Sequence, residues 1–128
     1  MPQKAVLVSW SVLAYFLLTF AGLACADGDA VRGEQAWKKN CTECHAIDKD
    51  DTGPRHAGLL GRRAGSVPGF DYSPALKAAT FVWDAALLDR WIARPDGVVP
   101  GQTMDFKMGD AAMRADIIAY LLTLKAAN

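Results

Sequence analysis

Two cysteines three positions apart, followed at once by a histidine, constrain this chain more than any other feature: Cys41-Thr42-Glu43-Cys44-His45. On a helical turn, sulfurs at i and i+3 project from nearly the same face. The adjacent imidazole can then reach a metal held beside them. This is the C-x-x-C-H pattern in which each thiol adds across a vinyl group of haem and the histidine becomes an iron ligand. Two other chemistries use part of the pattern. A thioredoxin-like dithiol needs a βαβ setting and has no use for the histidine. A structural zinc site needs a fourth ligand, and the only other histidine is His56, with no further cysteine pair.

At 128 residues the chain makes one small domain, of modest stability by size alone. A covalently held haem would change that by giving side chains a large apolar plate to pack around. Lys and Arg number 14, and so do Asp and Glu. Such a balance lacks the basic stripe that nucleic acid demands.

Residues 1–26 read as an export signal, outside the domain formed by residues 27–128. Lys4 gives a short positive start, and Ala5 to Ala24 runs apolar except for Ser9, Ser11, Thr19 and Gly22. Ala24-Cys25-Ala26 fits the small-x-small rule of signal peptidase and places cleavage before Asp27. Three alternatives stay open, of which chance apolarity is the weakest. The run is long enough to remain as an uncleaved membrane anchor, and Cys25 is a candidate lipidation site, although Gly22 stands where a bulky aliphatic residue is usual. Cleavage would leave 13 basic against 14 acidic residues, and no cysteine beyond the motif pair. Exported free cysteines tend to form disulfides, whereas thioethers to haem use both sulfurs permanently. The periplasm, or an equivalent space, is therefore the expected location.

The remainder reads as helices without strand alternation. Asp29 is a fair N-cap for a helix running to Asn40, with Gly33 and Trp37 on one face. Irregular chain rich in Gly, Pro and Arg follows from Ile47 to Asp71. A structureless loop of that length is unusual in a compact domain, unless a haem serves as its core. Ser73-Pro74 opens a short helix. Asp84 caps another, with Leu87, Leu88, Trp91 and Ile92 at helical spacing and Pro95 to stop it. After a second loop through Pro100-Gly101, Asp110 begins a last helix with the stripe Met113, Ile117, Tyr120, Leu121 and Leu124.

In this arrangement the chain resembles class I cytochrome c, in the mitochondrial cytochrome c and bacterial cytochrome c2 branch. The resemblance covers essentially all of residues 27–128. Its carriers are Gly33-Glu34-Gln35-Ala36-Trp37, the motif Cys41 to His45, and Thr52-Gly53-Pro54 with Gly58-Leu59-Leu60-Gly61-Arg62. Then come Pro68-Gly69-Phe70-Asp71-Tyr72, Trp83, Pro100-Gly101-Gln102-Thr103-Met104 and Ile117-Ile118-Ala119-Tyr120-Leu121. The fold this implies is all-α, with three to five helices and long loops wrapped around one covalently bound haem c.

The resemblance also implies roles. Cys41 and Cys44 would attach the haem, and His45 would bind its iron. Pro54 would accept the second ring N–H of His45, fixing its tautomer. Tyr72 and Trp83 would bond a haem propionate, with Arg62 near to offset its charge. Gly33 and Trp37 would pack on Tyr120 where the first and last helices cross. Three methionines compete for the sixth iron position. Met113 lies on the apolar stripe, Met108 sits in a loop as a surface or packing residue, and Met104 has the family's Pro-Gly turn and spacing. Met104 is therefore the expected ligand, and a thioether there raises the potential relative to bis-histidine ligation. His56 reads as a solvated loop residue.

Some positions depart from the family. Trp91 stands where mitochondrial relatives carry a tyrosine whose hydroxyl bonds the methionine sulfur, so that sulfur is expected to lose its brace and be easier to displace. Leu76 replaces an asparagine, and Thr103 stands where a lysine is usual. With a near-zero charge, steering toward an acidic partner is expected to be reduced.

The function implied is one-electron transport by a single-haem carrier in a periplasmic respiratory or related chain. Its partners would be redox proteins: a membrane oxidase or reductase complex, or a periplasmic dehydrogenase. No nucleic acid is expected, and the membrane is involved only if the N-terminal segment is retained. The alternatives are the cytochrome subunit of a periplasmic dehydrogenase, or a haem peroxidase if the Met104 bond is weak. A gas sensor would need the open distal position that Met104 argues against.

Overall fold

The computed structural model describes residues 27–126. The segment read as an export signal, with Cys25, lies outside the described residues. Among the described residues five helices follow one another: α1 (Ala30–Asn40), α2 (Pro74–Ala78), α3 (Ala85–Ala93), α4 (Pro95–Val98) and α5 (Ala111–Thr123). Among the described residues the β structure is a single isolated bridge, Arg63 to Val82.

Side chains start the helices where the sequence places caps. Asp29 accepts from the Arg32 N–H at 2.8 Å, Ser73 from Leu76 at 3.2 Å, Asp84 from Leu87 at 2.7 Å and Asp110 from Met113 at 3.0 Å. Each satisfies one of the amide donors a helix leaves open at its start. Pro95 ends α3 as expected. It then occupies the first turn of α4, where a missing N–H costs nothing.

The frame of the molecule is the crossing of α1 and α5. Gly33 permits it, because a Cβ there would collide with the Asp116 carbonyl and press on Tyr120 Cβ. Trp37 lies beside Tyr120 with ring centroids 5.8 Å apart. Asp116 clasps the crossing from outside: it accepts the Asp29 N–H at 2.6 Å and two guanidinium donors of Arg32 at 2.8 and 2.9 Å. Inside, Ile117, Ile118 and Leu121 join Leu88, Trp91 and Ile92 of α3 in one buried cluster. Each such side chain contributes about 1.5–3 kcal/mol when fully buried.

The long segment between α1 and α2 is irregular, as its composition predicts, yet it is tied down. Residues 46–47 bond back to residues 56–57 (3.0 and 2.7 Å), and Gly58 donates to Leu124 beyond α5 (3.0 Å). Gly61 and Ala64 donate to Trp83 and Phe81. Gly58, Gly61, Gly65 and Gly69 all take positive φ, which explains the glycine density at the turns. Held this way, the loop forms a wall and not a free excursion.

Candidate functional site

That wall, α3, α5 and the chain before Met108 enclose a cavity of about 470 Å³. This falls within the range of pockets that bury a cofactor-sized ligand. All eight residues singled out from the sequence line it: Cys41, Cys44, His45, Pro54, Arg62, Tyr72, Trp83 and Met104. Leu59, Ile92, Ile117 and Leu121 supply apolar surface.

The attachment motif continues α1 as a turn, with Cys44 and His45 both donating their N–H groups to the Cys41 carbonyl (3.2 and 2.8 Å). Both cysteines are free thiols. Burial, with Cys44 nearby, pushes the Cys41 thiol up to about 11. A redox dithiol needs the reverse, a depressed thiolate, and a βαβ setting; within the described residues Cys41 has neither. Among the described residues no group of three or more His, Cys, Asp or Glu converges as a zinc site would require.

His45 is oriented for a metal. Its Nδ1 lies 2.8 Å from the Pro54 carbonyl. A carbonyl only accepts, so the proton sits on Nδ1 and Nε2 keeps its lone pair. Burial lowers the pKa of the ring below its ordinary value, outweighing the Pro54 bond that raises it. The neutral form, which is the ligating form, is thereby favoured. Gly53 sits so close that a Cβ would strike the imidazole, and its N–H bonds the Cys44 carbonyl at 2.6 Å. Glycine is needed there for space.

His56 corrects the sequence reading. It is not a solvated loop residue: it is 9 % exposed, and its ring stacks on that of His45 with centroids 4.1 Å apart and planes 25° from parallel. Its Nδ1 accepts the Trp37 indole N–H at 2.8 Å. Burial, then the neighbouring His45 and Arg62, hold it well below the ordinary imidazole pKa. Nothing in the sequence marks His56 for this role beyond its place two residues after Pro54.

Met104 presents its thioether to the same cavity, and here a second expectation fails. Loss of the tyrosine at position 91 does not leave the sulfur unbraced, because the Trp91 indole N–H donates to Met104 Sδ at 3.2 Å. The indole replaces the phenol as donor. Gln102 holds the backbone of the same residue, accepting from the Met104 N–H through Oε1 and donating to its carbonyl at 3.0 Å. A further bond from Gln102 to Asp96 at 2.9 Å anchors this clasp to α4. Met108 is buried and donates its N–H to the Ile92 carbonyl at 2.9 Å, which makes it a packing residue. Met113 packs against the core from α5.

The polar end of the cavity fits a carboxylate-bearing group. Arg62 donates to the carbonyls of Arg55 and Ala57 at 2.9 and 3.2 Å, while its buried Nε has no partner among the described residues. An orphaned buried donor is costly, and a haem propionate would satisfy it. The Tyr72 hydroxyl accepts from the Val67 N–H at 3.3 Å and keeps its own proton to donate. Trp83 stands edge-on to Trp91, with centroids 5.2 Å apart. Two thiols on one turn, a neutral imidazole, a braced thioether and this polar end are together what a covalently bound haem requires.

Known proteins point the same way. A family model, described as cytochrome c, matches residues 30–125. The cytochrome c2 of Rhodomicrobium vannielii is 42 % identical over 110 residues, covering 83 % of this chain and 87 % of that protein. The cytochrome c of Euglena viridis is 42 % identical over 101 residues, 77 % of this chain and 99 % of its own. Among solved structures, cytochrome cH from Methylobacterium extorquens superposes with a TM-score of 0.71 at 42 % identity, covering 75 % of this chain and 99 % of that one.

Proposed function

This chain belongs to the cytochrome c family, and from that premise we propose that it carries single electrons between redox proteins of a periplasmic chain. It is an electron carrier with a covalently bound haem c, not an enzyme. When bound, the haem would supply reversible one-electron chemistry; His45 and Met104 would bind its iron, and the remaining site residues would hold it and keep water away.

In this reading Cys41 and Cys44 form the thioethers, and His45 and Met104 bind the iron. Pro54 fixes the His45 tautomer, while Arg62, Tyr72 and Trp83 receive the propionate. The observation that carries the proposal is that His45 and Met104 line one cavity, each already restrained by a second partner. Pro54 holds the imidazole and Trp91 holds the sulfur. A restrained ligand loses little entropy on binding. Two such ligands leave the iron no open position for peroxide or a gas, which disfavours the peroxidase and sensor alternatives. Soft sulfur at one position favours ferrous iron and a raised potential.

Its partners are proposed to be a membrane oxidase or reductase complex, or a periplasmic dehydrogenase. Export rests on residues 1–26 and their small-x-small end before Asp27. No helix among the described residues is long and apolar enough to cross a membrane.

The test is a mutant series read through the weak long-wavelength sulfur-to-iron band of the ferric holoprotein. Met104→Ala should abolish the band, lower the potential and admit peroxide, whereas Met108→Ala and Met113→Ala should keep it. Loss of the band in Met108→Ala would move the ligand to that residue. Persistence in all three would rule out methionine ligation.

A further inference from the structure

We propose that His56 is a positioning residue for the iron-binding imidazole: anchored by Trp37, its ring fixes the plane that the His45 ring adopts. This rests on the reading of His45 as an axial ligand. The motivating problem is a degree of freedom. An imidazole turns about its χ2 bond in a broad well, and the Pro54 carbonyl restrains it through one atom only. A second ring lying nearly flat on the first, 4.1 Å away, restrains the plane itself.

His56 can impose a plane because its own is fixed. The Trp37 indole N–H bonds its Nδ1 at 2.8 Å, and its backbone N–H bonds the Ala46 carbonyl, next to His45, at 3.0 Å. Trp37 in turn is set by Tyr120 at the α1–α5 crossing. The restraint thus runs from the helical frame, through Trp37 and His56, to the ring of His45. Simple space-filling does not account for this, since an aliphatic side chain would fill the volume without accepting the indole proton or offering a flat face. A buried imidazole is also a costly filler. Partners at these points that orient a metal-bound histidine are known to tune the metal.

Two variants separate the two contacts. His56→Phe keeps a flat face and loses the acceptor; His56→Gln keeps an acceptor and loses the face. Both are read as ferric holoprotein by electron paramagnetic resonance, whose g anisotropy follows the axial imidazole plane, and by potentiometry. The expectation for His56→Phe is g values shifted less than in His56→Gln, with a lower thermal midpoint, because the flat face stays while its anchor is lost and Trp37 is left unpaired. The expectation for His56→Gln is shifted and broadened g values and a lowered potential, with the sulfur-to-iron band intact. Wild-type g values in His56→Gln, or equal changes in both variants, would overturn the proposal. Should neither variant accumulate, Trp37→Phe frees His56 from its anchor; broadened g values support the proposal, and unchanged ones refute it. Pulsed measurement of imidazole nitrogen coupling distinguishes the two levels of failure. Coupling present in every protein with invariant g values sinks the positioning role alone, whereas its absence from the wild type removes His45 as ligand and both readings with it.

Discussion

At the scale of single residues, the site depends on groups that hold the ligands as much as on the ligands themselves. Motif and spacing single out Cys41, Cys44, His45 and Met104 in the sequence, and the structure brings them to one cavity. The indole donor at Trp91 was not legible there, since a tyrosine-to-tryptophan change reads as the loss of a hydroxyl until geometry shows an N–H in its place. The Gln102 clasp was equally hidden, because a side chain folding back on a backbone two residues away leaves no sequence period. Trp91→Phe removes one hydrogen bond of about 0.5–1.5 kcal/mol. Imidazole or cyanide should then displace Met104 roughly 2- to 10-fold more readily, measured as ligand affinity of the ferric protein. Equal affinities in wild type and variant would mean that Trp91 braces nothing.

At the scale of elements, the α1–α5 crossing is the frame on which both the attachment turn and the cavity floor are built. Its helices could be read from Asp29, Asp110 and the apolar stripe, because capping and helical period are local signals. The clasp of Asp116 on Asp29 and Arg32 was not readable, since it joins positions 87 and 84 residues apart. Arg32 and the Asp29 N–H hold the Asp116 carboxyl below its ordinary pKa of 3.8. A carboxylate depressed in the folded state contributes stability that is present above the unfolded pKa and is lost as pH falls through the folded one. The thermal midpoint of Asp116→Asn holoprotein should therefore lie below wild type at pH 7, and the gap should begin to narrow as pH falls below about 4 and close only below the folded-state pKa. A gap that does not narrow at all between pH 7 and pH 3 would mean that the carboxylate charge is not what the clasp uses. Gly33→Ala should cost more, about 1–3 kcal/mol, because its methyl would meet the Asp116 backbone and Tyr120 Cβ, neither of which can swing aside as a flexible side-chain end would. Chemical denaturation of the holoprotein gives that figure, and an unchanged midpoint would show the helices free to separate.

At the scale of the whole molecule, the haem of the proposed reading stands in for much of the core. That is why a long glycine-rich loop, improbable on sequence grounds alone, forms an ordered wall around a cavity of about 470 Å³. The double variant Cys41→Ala/Cys44→Ala should accordingly yield little folded protein, and accumulation of a stable haem-free domain would sink this account of the core. Charge acts at the same scale. Residues 27–128 carry 13 basic and 14 acidic residues, and the exposed charges bordering the cavity, Glu43, Asp71 and Asp105, are acidic. Association with an acidic partner should gain less than the roughly tenfold rate enhancement that marks steered pairs, seen as a shallow ionic-strength dependence in stopped-flow electron transfer. The carrier reading itself is tested most directly by optical potentiometric titration of the purified holoprotein, following the sulfur-to-iron band together with the main haem bands. The account predicts one reversible one-electron transition between two low-spin states, with the band present in the oxidised form and lost on reduction. A ferric protein that is high-spin, lacks the band and turns over peroxide would contradict it.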